Sequence, residues 1–204
     1  MARSGLVAGT WGNVSSRVSQ REMVITPSGM DYFKLEPCDI VTVDLETLTP
    51  RGRWKPSVET PLHAAIYRSR PEIAAVVHTH STYACTVAAA RKEIPPILDE
   101  MVQIAGGSVK VAAYSLPGSN ELVEAVLTAL QGRTAALLAN HGAICLGRSI
   151  QEALVTAVVV EKAAKVFILS ELIGGAVPLG PKEIGIMREF FLNRYGQRLQ
   201  ETIE

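Results

Sequence analysis

Short apolar runs alternate with longer segments of helical period along this chain, and the alternation predicts a mixed α/β domain. Val14 to Val18 and Met23 to Thr26 lie close together and read as a hairpin, and Ile40 to Asp44 as a further strand. A polar, turn-rich stretch then runs to Lys55. Thr60 to Ser69 is helical, with Pro61 in the first turn, where a missing N–H costs nothing. Ala74 to His80 is a β-branched strand, Thr82 to Arg91 a helix, and Pro95-Pro96 a break. Ser108 to Ala113 is a strand and Asn120 to Leu130 an amphipathic helix. Ala135 to Ala139 and Ala143 to Leu146 are strands on either side of His141. A long helix from Ser149 to Ile173 is capped by Ser149 and stopped by Gly174-Gly175, and Pro181 to Tyr195 is a last helix. Met1 to Leu6 reads as the stub of a longer helix, so a truncated N-terminus is expected. Hairpins and crossovers alternate. The expectation is therefore an α/β fold: one three-layer α/β/α domain over residues 1–204 with a mixed, largely antiparallel central sheet.

Composition narrows the function. A chain of 204 residues suits a single domain with a substantial core. Twenty basic residues balance twenty acidic ones, so no net field favours nucleic acid or an anionic membrane. The longest apolar stretch, Ala153 to Val160, is too short to span a bilayer and runs into Glu161 and Lys162. No signal peptide is expected. Cys38, Cys85 and Cys145 show no paired spacing, which suits a reducing compartment and a cytoplasmic location.

Candidate chemistry gathers where strands end. Of four histidines, His78 and His80 finish one apolar strand and His141 finishes another. Side chains two apart on a strand share a face, so His78 and His80 can converge. Three imidazoles with an open fourth position suit a catalytic zinc site. Cys145 is a conceivable fourth ligand, but a buried small hydrophobe is the simpler role. Three loop segments can approach an anion with backbone N–H groups and hydroxyls: Gly12 to Ser15, Thr26 to Gly29, and Pro56 to Thr60. The last lies at a helix N-terminus, whose dipole favours phosphate. Each also reads as an ordinary turn or cap. Glu59 stands at the same helix start, where its carboxylate can serve as metal ligand or as base.

Taken in order, GNVS, ITPSGMDY, KPSVETPLHAAIYRSRPEIAAVVHTHS, IPPILDEM and NHGAI, with the long helix after them, resemble the zinc-dependent class II aldolase and adducin-head family over nearly the whole chain. The resemblance is strongest to its L-fuculose-phosphate aldolase branch. It implies one Zn2+ per subunit on His78, His80 and His141, with Glu59 as acid/base and as a further ligand when substrate is absent. It implies a substrate phosphate on Gly12, Asn13, Ser28, Gly29 and Ser57, and a proton-assisting role for Tyr195 at the aldehyde end. It further implies a homotetramer, and cleavage of a ketose 1-phosphate to dihydroxyacetone phosphate and an aldehyde. A 4-epimerase of sugar phosphates, a methylthioribulose-1-phosphate dehydratase and, more remotely, a non-catalytic adducin-like module share the scaffold. Val58 stands where the branch has a second serine, and Glu100 and Pro117 stand where it has aromatic residues. The first change removes one phosphate hydroxyl, and the other two fall where the aldehyde moiety would be read.

Overall fold

Residues 1–195 are described by a computed structural model. The N-terminal hairpin joins β1 (Asn13–Arg17) to β2 (Glu22–Ile25), with Ser16 opposite Val24. β3 (Val41–Asp44) and the two-residue β4 (Pro50–Arg51) extend that side. With β5 (Ala75–Thr79), β6 (Lys110–Ala112), β7 (Ala135–Leu138) and β8 (Gly142–Gly147), they form one sheet in the order β4-β3-β2-β1-β5-β8-β7-β6. Every pairing is antiparallel except β6 with β7. A parallel pair needs a crossover. Here α4 (Asn120–Ala129) supplies it.

Helices cover both faces. Leu62, Ile66 and Tyr67 of α1 (Thr60–Ser69), with Leu122 and Val126 of α4, pack in one core with Met23, Ile25, Val76 and Ile144. The opposite core joins α2 (Thr82–Ala89), α3 (Asp99–Ala105) and α5 (Ile150–Glu171) to Val77, Leu137 and Cys145. Val76 and Val77 therefore serve different cores, as the two-residue period of a strand requires. β5, β7 and β8 are buried at every position, which is why they read as unbroken apolar runs. Each fully buried aliphatic side chain there contributes about 1.5–3 kcal/mol. Small residues on α5, Ala157, Ala163 and Ala164, are fully enclosed and let that long helix lie close to the sheet. α6 (Pro181–Asn193) packs on α3 and has no buried residue of its own.

The expected three-layer architecture and mixed sheet are present, with element ends displaced by a residue or two. One helix was not anticipated. α3 follows the Pro95-Pro96 break and runs for only seven residues, too short to display a period, before Gly106 ends it at φ 87°. The N-terminal stub is a single 3-10 turn, Ala2–Ser4, closed by Gly5. Cys145 is wholly buried between sheet and α5, away from the histidines, because it lies four positions along β8 from His141 and within the core. It is not a ligand. No described helix is long and apolar enough to cross a membrane. Residues 196–204, the end of the expected domain, lie outside the described residues.

Candidate metal centre and anion cradle

β5 and β8 run antiparallel with Thr79 opposite Ala143, so the end of one strand meets the start of the other. That topology brings His141 beside His78 and His80. Their ligating nitrogens all lie within 4.8 Å of one another. The ring centroids form a nearly equilateral triangle, with sides of 4.7, 4.9 and 4.8 Å and mutual inclinations of 72–80°. Nδ1 of His78 lies 3.0 Å from the Ala143 carbonyl oxygen. A carbonyl only accepts, so Nδ1 carries the hydrogen and Nε2 turns its lone pair inward. Nε2 of His80 faces it at 2.8 Å.

Two glycines permit this close approach. A Cβ on Gly142 would lie 2.2 Å from the Thr79 carbonyl oxygen, and one on Gly12 would lie 2.7 Å from that of His78. Gly12 also has φ +83°, a left-handed backbone that side chains disfavour. Between β7 and β8, Asn140 takes φ 56°, tolerated by asparagine, and turns His141 into the cluster.

Glu59 caps α1 immediately beside the histidines and is only 4 % exposed. Its Oε2 accepts from the Asn13 amide at 2.7 Å and lies 3.2 Å from His78 Nε2, while Oε1 lies 3.6 Å from His141 Nε2. Oε1 has no hydrogen-bond partner, and neither has Nδ1 of His141. Among the described residues, no lysine or arginine pairs with Glu59. Burial holds the imidazoles well below their ordinary range: His78 falls to about 4, and His141 is lowered in the same sense. His80 also falls to about 4, through burial first and then through His78 and His141, against the opposing pull of Glu59. The centre thus sets three imidazoles that burial keeps neutral around a buried glutamate, with no positive charge beside them. An isolated buried carboxylate is costly. A divalent cation fits this donor set, in which three imidazoles and a carboxylate converge and Oε1 of Glu59 wants a partner.

The three loops expected to hold an anion also meet. Ser57 N donates to Thr26 O at 3.2 Å, Ser28 N donates to Lys55 O at 3.0 Å, and Pro27 bridges Pro56. Asn13 on β1 sits opposite His78 and donates to Ser57 Oγ at 3.0 Å as well as to Glu59. Its amide nitrogen therefore ties the cradle to the metal centre. Ser28 and Gly29 are exposed on the outer turn, Gly29 at φ 70°. Tyr32 was not anticipated, because a tyrosine three residues past a turn glycine carries no signal of its own. Its hydroxyl donates to the Gly12 carbonyl, and burial followed by the nearby Glu59 charge pushes its pKa up to about 12, partly offset by Thr26. Trp11 stacks on His80 at 5.8 Å and stays exposed at the mouth.

Tyr195 is elsewhere. It lines a cavity of about 490 Å³ with Glu100, Arg148, Arg188 and Phe191, beside Gly147 at the far end of β8 from His141. Within one chain it does not join the histidines.

A fold of this topology around such a centre is that of a metal-dependent lyase, and comparison with known proteins agrees. Residues 1–168 match the family model described as "Class II Aldolase and Adducin N-terminal domain", and the chain belongs to that family. It is 36 % identical to a 5-deoxy-D-ribulose 1-phosphate aldolase of Bacillus thuringiensis serovar kurstaki, over 97 % of this chain and 92 % of that one. It is 39 % identical to an L-fuculose phosphate aldolase of Escherichia coli, over 98 % and 93 %. A solved L-fuculose 1-phosphate aldolase superposes with a TM-score of 0.89 at 35 % identity, covering 94 % of this chain and 90 % of that one. Within the family, the chain is an enzyme of the class II aldolase type.

Proposed function

We propose that this enzyme cleaves a ketose 1-phosphate of the L-fuculose 1-phosphate type to dihydroxyacetone phosphate and an aldehyde, using one Zn2+ per subunit. The observation that carries the reading is the convergence of His78, His80, His141 and Glu59 beside an anion cradle. His78, His80 and His141 hold the ion, with Glu59 as a further ligand in the absence of substrate. When bound, the ion is the electrophile that takes up the negative charge developing on the substrate's carbonyl oxygen as the carbon–carbon bond breaks.

The remaining work belongs to the chain. The hydroxyls of Ser28 and Ser57 and the backbone N–H of Gly29, in a cradle shaped by Gly12 and Asn13, bind the phosphate, so binding energy remote from the reacting bond orients the three-carbon half. Cleavage leaves that half with an electron pair at the carbon that has lost the aldehyde. Glu59 delivers a proton to this carbon, and in the aldol direction removes it. Its enclosure keeps bulk water from competing. Asn13, bonded to one carboxylate oxygen, leaves the other free to face the substrate. Lys55, Lys92 and Lys110 are all exposed, which supports metal rather than Schiff-base chemistry.

A deoxygenated pentulose 1-phosphate is a second reading. Trp11, 67 % exposed and stacked on His80, favours an apolar distal end over a hydroxylated one. A coupled assay for dihydroxyacetone phosphate across a ketose 1-phosphate panel tests both readings. Rejoining of the aldehyde without its release would make the enzyme an epimerase; loss of water without cleavage would make it a dehydratase. Replacement of His78, His80 or His141 by Ala is expected to remove tightly bound zinc and activity together. Full activity in such a variant after chelation would end the assignment, and wild type that binds no metal when it is supplied and neither cleaves nor exchanges would leave only the structural module.

A further inference from the structure

A carboxylate in the middle of α5 reaches the segment that carries His80. Glu161 accepts three hydrogen bonds at the start of α2: from Ser81 Oγ at 2.6 Å, from Ala84 N at 2.8 Å and from Tyr83 N at 3.0 Å. Ser81 occupies the N-cap of α2, yet its side chain makes no cap of its own. The hydroxyl is donated to Glu161 instead. The remote carboxylate thus satisfies two N–H groups that a helix start leaves without partners, and sets negative charge at the positive end of the dipole. A serine at this position can cap its helix locally. Here the acceptor comes from 80 residues away.

What this arrangement anchors is the residue directly before Ser81. His80 is only half enclosed, and among the described residues nothing accepts from its Nδ1, whereas Nδ1 of His78 is held by the Ala143 carbonyl. Beyond the stacking of Trp11 on its ring, the aim of His80 therefore depends on its backbone. On one side that backbone is tied by His80 N to Leu6 O at 3.2 Å. On the other it continues into Ser81, which is 1 % exposed and pinned by Glu161.

We infer that Glu161 is a positioning residue for the metal centre: by clamping the chain just after His80, it fixes the ring's Nε2 on the point shared with His78 and His141. The inference rests on the metal reading proposed above. It assigns to α5 a task in metal binding that its sequence, a largely apolar helix with a few scattered charges, does not advertise.

The test is titration of chelated, metal-free protein with Co2+, followed by affinity and by visible d–d absorption. Glu161→Ala is expected to bind Co2+ about 10- to 100-fold more weakly, with a changed spectrum, the scale of a lost outer partner of a ligating histidine. Glu161→Gln keeps one acceptor and should fall between, as should Ser81→Ala. Ser119→Ala removes an ordinary cap on α4, where Ser119 Oγ accepts from Leu122 N at 3.1 Å. It should lower Tm and leave Co2+ affinity untouched. Wild-type affinity and spectrum in Glu161→Ala would overturn the inference, as would equal weakening in Ser119→Ala. If Glu161→Ala does not fold, unchanged binding in both Glu161→Gln and Ser81→Ala overturns it. Wild-type protein that binds no Co2+, or binds it equally after His80→Ala, defeats the metal reading itself. Binding that is lost in His80→Ala but intact in the Glu161 variants defeats this inference alone.

Discussion

Glu59 and His63 lie one helical turn apart on α1, and their different surroundings assign them different work. Glu59→Gln keeps shape and leaves the three imidazoles in place. It is expected to retain zinc while slowing proton exchange on dihydroxyacetone phosphate by roughly 100-fold or more, the scale of a lost general base. Exchange at the wild-type rate would move the base elsewhere. His63 is fully enclosed, takes its place from Ser15 Oγ at 2.7 Å, and is pushed down to about 3, by burial first and then by His78. An unfolded histidine takes up its proton near pH 6.5. Between about 6.5 and 3 the unfolded chain therefore binds a proton that the folded chain refuses. This contribution to stability is full above 6.5 and is lost as pH falls, by up to about 1.4 kcal/mol per pH unit. Urea midpoints of metal-free protein should decline through that window, and less steeply in His63→Gln. An identical decline in the two proteins would remove His63 from the account.

At the scale of elements, the decisive contact is the antiparallel meeting of β5 with β8. Gly142→Ala tests it, since the added methyl would fall 2.2 Å from the backbone oxygen of Thr79, which no side-chain movement can relieve. The strands must part there. A loss of about 1–3 kcal/mol is expected from overpacking, with weaker metal retention because the separation falls between His78 and His141. Calorimetry and metal analysis on one preparation check this, and normal zinc content with normal Tm would contradict it. Most elements were legible beforehand because burial on both faces leaves β5, β7 and β8 apolar throughout, while capping serines and paired glycines mark helix ends. α3 escaped because its stability comes from neighbours: Arg188 of α6 donates to the Gln103 and Ile104 carbonyls at 2.5 and 2.7 Å, a cap supplied from far along the chain.

For the whole molecule, the apolar surface of the last two helices supports the homotetramer we propose. α5 exposes Val155, Val158 and Leu169 although it lies against the sheet, and α6 exposes Ile186, Phe190 and Leu192. Tyr195 and Glu100 share one cavity at the end of β8 away from His141. The separation is roughly 20 Å along that strand. Tyr195 cannot serve its own subunit's metal centre across that distance, so any part it has in the reaction must be played at a neighbour's. Mixing Glu59→Gln subunits with Tyr195→Phe subunits, each inactive alone, should then restore some activity. A monomer of full specific activity in light scattering would refute the shared site.

Alone, the sequence determined which residues finish buried strands and which loops are small, hydroxylated and able to approach an anion. Those properties are local: they follow from side-chain period, backbone freedom and capping, and they sufficed to name His78, His80, His141, Glu59 and the cradle. Tertiary structure decided what each of these residues touches. Only the pairing of β1 with β5 shows that the Asn13 amide is committed to Ser57 and Glu59. The packing of α5 on α2 is likewise needed to find Glu161 behind His80, and the path of α6 to find Tyr195 outside its own site. Each of these contacts joins residues dozens of positions apart. Their free energy comes from burying surfaces against one another, and no window along the chain contains both surfaces.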